Sequence, residues 1–107
     1  MAGHVIKLPD SLWEQISGIF PTVSSRSRPN RECLDAILTA ASSPLPNKWR
    51  SLQRTGICPA GTAHDRLKKW WEEGILDKLM ASPLRNEPSL KNVDWTWLLN
   101  GGSHRSR

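Results

Sequence analysis

The residue types that most often bind metals or attack substrates are few and scattered in this chain of 107 residues. The candidates are two cysteines and three histidines: Cys33, Cys58, His4, His64 and His104. Their positions match no zinc-ligand spacing, and the sequence contains neither a glycine-rich phosphate loop nor a nucleophile elbow. The sequence therefore predicts no catalytic residue, no metal site and no cofactor in this chain.

The cysteines and the N-terminus indicate the compartment. Residues 1–7 lack the charged-then-apolar pattern of a secretion signal, and no apolar stretch approaches the ~20 residues of a membrane span. We therefore predict a cytoplasmic protein without membrane contact, in which Cys33 and Cys58 are reduced and buried thiols.

Basic residues are concentrated in two places. The net charge is +5, and the same excess is found within residues 48–69, where only Asp65 opposes the basic residues Lys48, Arg50, Arg54, Arg66, Lys68 and Lys69. A second cluster, Arg26, Arg28 and Arg31, precedes the acidic Glu32. A solvated face normally mixes the two signs, whereas segregated positive charge favours contact with the phosphates of a nucleic acid.

Helical periodicity predicts the elements that carry these charges. Helices are expected over residues 11–20 and 31–42, ended by Pro21 and by residues 43–46. A short helix over 48–53, a turn at Gly56, an amphipathic helix over 60–73 and a helix over 75–81 follow. The fold class is therefore mostly α, a small helical bundle, with a helix-turn-helix-like unit formed by the 48–53 and 60–73 helices.

The 60–73 helix has a predicted core face and a predicted outer face. Its apolar residues share one arc, and most of the chain's tryptophans are expected to pack in the core. If the helix enters the major groove of double-stranded DNA, the residues nearest base edges are Thr62, Asp65, Arg66 and Lys69. The residues expected to hold phosphates are Lys48, Arg50, Arg54 and Lys68. Asp65 would repel phosphates unless it accepts a hydrogen bond from cytosine or orients Arg66. The alternative is a solvated basic face with no nucleic-acid partner.

The cluster of Arg26, Arg28 and Arg31 lies in or beside a Ser- and Arg-rich loop, residues 22–30. Such a loop could act as an arm in the minor groove, where the negative potential favours arginine. An ordinary surface loop explains the same residues equally well.

The C-terminal part has a different pattern. Apolar residues alternate over 93–99, which predicts a single strand after a connector. A lone strand needs a partner, so it pairs either with Val5 and Ile6 or with a sheet that this chain does not complete. We therefore divide the chain into a helical DNA-binding domain over 1–82 and a region over 83–107 that holds the connector, the strand and a basic tail.

Several segments together resemble the N-terminal region of bacterial transposases of the insertion sequence five family. The opening helix, residues 8–16, is similar to that of the family, and so are Arg28-Pro29-Asn30-Arg31 and Trp49-Arg50-Ser51-Leu52. Residues 62–70 resemble the family's basic helix, and residues 74–79 resemble the segment after it. Residues 93–97 resemble the strand that opens the RNase H-like catalytic domain. The resemblance implies a DNA-binding region that recognises transposon-end-like sequence.

The chain departs from the family's pattern where the first of three catalytic carboxylates is expected. The nearest match is Asn100-Gly101, and an amide supplies no negative charge for a metal ion. The resemblance therefore implies a truncated, frameshifted or domesticated transposase product without nuclease activity of its own. An alternative remains open: a protein-interaction or regulatory module that pairs with a full-length transposase, or with itself, through the exposed strand.

Overall fold

The computed structural model describes residues 5–24, 26–44 and 47–102, without the side chains of Gln53 and Arg54. Its α-helices are α1 (Asp10–Ile16), α2 (Asn30–Ala41), α3 (Ala60–Glu72), α4 (Ile75–Met80) and α5 (Trp95–Leu99). Short 3₁₀ helices cover Ser17–Ile19, Lys48–Arg54, Pro83–Asn86 and Pro88–Leu90. The prediction of a mostly helical bundle is confirmed, and no strand occurs in these residues.

Helix α2 lies at the centre because most of its residues after Glu32 are apolar or small. Its residues from Cys33 to Ala41 are buried apart from Asp35, which is half-buried. Ala36, Ala40 and Ala41 are completely inaccessible, and their small side chains allow neighbouring helices to approach closely. The 3₁₀ helix Lys48–Arg54, α3 and α5 all pack on α2.

Helix α3 has the predicted amphipathic form. Ala63, Leu67 and Trp70 are fully buried, and their spacing of three and four residues places them on one side of the helix. Gly74 follows with a left-handed φ of 77° and separates α3 from α4, as the sequence predicts. Trp71 departs from the prediction of core packing, because 51% of it is exposed.

The predicted strand over 93–99 is wrong, and residues 95–99 form α5 instead. The Asp94 carboxylate caps this helix by accepting a hydrogen bond from the backbone N–H of Trp97 at 3.1 Å. Trp97 and Leu98 are adjacent in sequence and both are buried, which the alternation of a half-exposed strand does not allow. The proposed pairing with Val5 and Ile6, and the idea of an incomplete sheet, therefore lose their basis in the described residues.

The region after residue 82 packs as part of the helical body as far as residue 102. Leu84, Leu90, Val93 and Trp97 belong to the same apolar core as the residues of α2 and α3. The backbone N–H of Asp94 also donates to the carbonyl of Ala41, at 2.9 Å, at the end of α2. The segment predicted as a connector therefore contributes Leu84 and Leu90 to the core. Residues 103–107, the predicted basic tail, lie outside the described residues.

Among the helices in the described part of the chain, none is both long and apolar enough to cross a bilayer.

Candidate nucleic-acid interface

The candidate interface is the outer face of α3, and two elements support this helix from the other side: α2 and the 3₁₀ helix Lys48–Arg54. These three elements pack against one another. The turn between the last two contains Gly56, with φ 69°, and its Thr55 hydroxyl donates to the Leu52 carbonyl at 3.0 Å. Cys58 is buried beside Cys33 of α2 and anchors the turn to the core. This packing supports α3 on one side and leaves its opposite side facing solvent.

The outer face of α3 carries exposed polar side chains. His64, Asp65, Lys68 and Lys69 are exposed, and Thr62 is half-buried. Within the described residues, no hydrogen bond or ion pair is formed by the side chains of Asp65, Lys68 and Lys69. The face is therefore available to an external ligand, and its two lysines lie next to an acidic residue.

Arg66, a sequence candidate for base contact, is turned away from this face. Its guanidinium Nη1 donates to the Arg28 carbonyl at 3.1 Å and to the Asn30 side-chain oxygen at 2.9 Å. The Arg66 side chain is half-buried by these contacts. Two of the base-edge candidates, Asp65 and Lys69, are therefore exposed on the same face, and Thr62 is half-buried. The fourth, Arg66, is hydrogen-bonded to Arg28 and Asn30.

The phosphate candidates differ among themselves. Arg50 and Lys68 are exposed. Lys48 is only 8% exposed, and its Nζ donates to the Ser43 carbonyl at 2.6 Å and lies 3.9 Å from an Asp94 carboxylate oxygen. Lys48 therefore stabilises the junction between α2 and α5 and is not free to contact a phosphate. The side chain of Arg54 lies outside what the structure describes.

The three arginines of the proposed arm also differ. Arg26 is exposed. Arg28 forms an exposed ion pair with Glu32 at 3.1 Å. Arg31 donates to the Leu8 carbonyl at 2.6 Å and pairs with Asp10 at 2.6 Å, so it ties the N-terminal segment to α2. Arg26 and Arg28 are therefore accessible, whereas Arg31 has an internal structural role.

A second set of contacts, which sequence reasoning missed, holds the other flank of α3. The Trp49 indole N–H donates to the Gly102 carbonyl at 2.9 Å. Its ring stacks on His64 with the ring centroids 4.9 Å apart, and meets Trp97 at the same distance in a tilted arrangement. No local pattern reveals a contact across 53 residues. The one signal in the sequence that pointed to such packing was the high tryptophan content, six residues in 107.

Two titratable groups near α2 are shifted by their surroundings. Burial raises the pKa of the Cys33 thiol to about 11, and the Cys58 thiol adds to this while the Arg66 guanidinium opposes it. Burial also raises the pKa of Asp35, although the N–H of Leu8 and the charge of Arg31 partly oppose the shift. Cys33 is therefore a protonated, unreactive thiol at neutral pH. Both cysteines are free, as predicted.

The geometry defines the class of this protein as a small helical module whose supported helix exposes basic residues on one face. In the described part of the chain, no three His, Cys, Asp or Glu residues are grouped so that they could hold a metal ion.

The comparison with protein families agrees with the resemblance seen in the sequence. The family described as "Putative transposase of IS4/5 family (DUF4096)" matches residues 8–80. The match covers α1 to α4 and most of the chain, so this protein belongs to that family. No curated protein and no solved structure matches the chain.

Proposed function

We propose that this transposase-family protein binds double-stranded DNA through the outer face of α3 and recognises sequence like that at transposon ends. The observation that carries the proposal is the pair of exposed lysines, Lys68 and Lys69, on a helix supported from behind by α2 and the Lys48–Arg54 helix. Membership of a transposase family supports DNA as the polyanion that these lysines contact. The proposal assigns no strand cleavage to any described residue.

The arrangement of α2, the Lys48–Arg54 helix and α3 supports a helix-turn-helix mode of binding. In that mode the second helix of the unit lies in the major groove and the helix before it contacts the backbone. Lys69, Asp65 and Thr62 are then nearest the base edges, while Arg50 and Lys68 contact phosphates on either side. Arg26 and Arg28 are proposed to extend the contact beside α3.

Asp65 has a specific consequence for the proposed target. A carboxylate in the groove is repelled by phosphates, but it accepts a hydrogen bond from the amino group of cytosine. Because Asp65 is exposed among the residues proposed to lie nearest the base edges, it favours a C·G pair at the position that it contacts. Asp65→Asn is expected to reduce this preference while it raises affinity for unrelated duplexes.

The test is a binding titration with two duplexes of equal length, one carrying a terminal inverted repeat of an insertion sequence of this family and one random. Lys69→Gln is expected to reduce the preference for the inverted repeat. Arg50→Gln is expected to weaken binding to both duplexes, and to lower the slope of log affinity against log salt by about one.

Lys91→Gln is the matched control, because Lys91 is also an exposed lysine but borders a groove lined by Val5 and Lys7 rather than the α3 face. It is expected to leave the preference between the duplexes unchanged. Equal affinity of the unmodified protein for the two duplexes would overturn the proposed recognition. Equal effects of Lys69→Gln and Lys91→Gln would overturn the proposed face.

A further inference from the structure

Arg66 connects α3 to a segment that is distant in sequence. Its Nη1 reaches the main-chain carbonyl of Arg28 and the side-chain oxygen of Asn30, which lie 38 and 36 residues away. Both acceptors are neutral, so the guanidinium keeps its full positive charge while its Nη1 donates to them. Hydrogen bonds from a charged donor are about twice as strong as neutral ones.

Asn30 uses its other amide atom to close the loop that Arg66 contacts. We call the described residues 21–24 and 26–30 the arm loop. The Asn30 side-chain nitrogen donates to the Pro21 carbonyl at 2.7 Å, so the two ends of the arm loop meet at this residue. Inside the loop, the N–H of Ser27 donates to the Ser24 carbonyl at 3.0 Å and forms a turn. The arm loop is therefore closed at its ends by the hydrogen bond between Asn30 and Pro21, and it contains an internal turn.

The arm loop presents two accessible guanidinium groups beside α3. Arg26 is exposed near the turn, and no hydrogen bond or ion pair in the described residues occupies its side chain. Arg28 pairs with Glu32, but 43% and 47% of these two side chains are exposed. An exposed ion pair of this kind is weak, so a phosphate can replace Glu32 as the partner of Arg28.

We infer that Arg66 is a positioning residue that fixes the arm loop beside α3, so that Arg26 and Arg28 contact phosphates of the duplex that α3 contacts. The inference rests on the proposed function, and it replaces the base-contacting role that the sequence suggested for Arg66. The physical reason is preorganisation: a loop that is already ordered loses less conformational entropy when it binds.

The first test uses Arg66→Lys in the intact protein. Lysine keeps the charge, but its nitrogen lies one bond nearer the backbone than the guanidinium Nη atoms and lacks their planar fork. We expect faster amide hydrogen exchange over the arm loop in the free protein. We also expect about tenfold weaker DNA binding and a salt slope lower by about two, the contribution of two phosphate contacts.

Lys69→Gln is the matched control, since it removes a charge from the same helix without touching the arm loop. It is expected to leave hydrogen exchange in the arm loop unchanged. Arg26→Ala then distinguishes positioning from direct contact. It should weaken binding in the unmodified protein and have little further effect in the Arg66→Lys background. Additive effects of the two substitutions would overturn the inference.

Asn30→Ala should also release the arm loop, and it leaves Arg66 in place. It removes the acceptor for Arg66 and the donor to Pro21 together, and it should also accelerate exchange in the arm loop. Unchanged exchange in both Arg66→Lys and Asn30→Ala overturns the positioning role, whatever the DNA result. Lack of DNA binding by the unmodified protein overturns the proposed function and the phosphate contacts, while the exchange measurement still decides whether Arg66 orders the loop.

Discussion

Helix α3 is held on its two flanks by segments that are distant in sequence, and the two attachments differ in chemistry. On one flank, Arg66 and Asn30 hold the arm loop with polar side chains that are partly open to water. On the other flank, Trp49 packs against His64, Trp97 and the buried Gly102. We call these the polar flank and the aromatic flank.

The two flanks should respond differently to substitution. The aromatic flank is closely packed around the buried Gly102, so a single carbon added there must displace its neighbours. The polar flank exchanges one hydrogen-bond partner for another at small net cost, because water competes for the same groups. We therefore expect the aromatic flank to contribute more to the free energy of unfolding, and the polar flank to order the arm loop with a smaller contribution to stability.

The largest effect is expected for Gly102→Ala on the aromatic flank. A Cβ atom at this position would lie 2.4 Å from Cζ2 of Trp49, and the backbone φ of 79° is unfavourable for alanine. The free energy of unfolding should fall by about 2–4 kcal/mol, as measured by denaturant titration.

Gly61→Ala is the matched control for this substitution. Gly61 lies within α3, and a Cβ atom added there would have no neighbouring atom within 4 Å, so alanine should raise stability by up to about 1 kcal/mol. If Gly102→Ala were as harmless as Gly61→Ala, the aromatic flank would not be a rigid attachment.

An intermediate effect is expected for Asn30→Ala on the polar flank. The substitution removes hydrogen bonds to Pro21 and from Arg66, but both groups left behind can bind water. The free energy of unfolding should fall by only about 0.5–1.5 kcal/mol. Asn92→Ala, at an exposed position, serves as the control. A loss as large as that of Gly102→Ala would remove the contrast between the two flanks.

The smallest effect is expected for Asp35→Asn, which tests how charge contributes on the side of α2 that contacts the N-terminal segment. Burial raises the pKa of Asp35 in the folded state, so the folded protein binds this proton more tightly than the unfolded chain does. Stability contributed by this group is therefore complete below its ordinary pKa of 3.8 and is lost as the pH rises through the raised value.

Asparagine does not titrate and keeps an oxygen for the N–H of Leu8, which donates to Asp35 at 3.1 Å. At neutral pH, Asp35→Asn should increase stability by less than about 1 kcal/mol, because solvent screens a half-exposed charge. The difference should vanish near pH 3, measured by thermal unfolding across the pH range. A stabilisation that is constant with pH would show that the charge of Asp35 is not responsible.

Much of the helical framework could be predicted from the sequence. The apolar spacing of α2 and α3 and the glycine after α3 identified these elements to within a few residues, because helical periodicity and backbone freedom are local properties. The basic character of the outer face of α3 was visible in the same way. The resemblance to a transposase family was likewise carried by short local motifs, and the family comparison agrees with it.

The end of the chain shows where local reasoning fails. Residues 93–99 alternate like a strand, but the Asp94 cap and the burial of two neighbouring apolar residues favour a helix. The alternating segment 93–99 is too short to separate a helical period from a strand period, so packing against α2 decided between them. The strand-based pairing with another protein depended on this prediction.

The charged positions, the amphipathic helices and most of the helix ends follow from the order of the residues alone. Which charges remain available to a ligand depends on how the chain folds. The sequence does not distinguish the basic residues that remain accessible from those that do not. Internal acceptors bind Lys48, Arg31 and Arg66. The side chains of Arg50, Arg26 and Lys69 are exposed. The reason is physical: a basic side chain binds the nearest suitable acceptor, and folding brings those acceptors from segments far away along the chain.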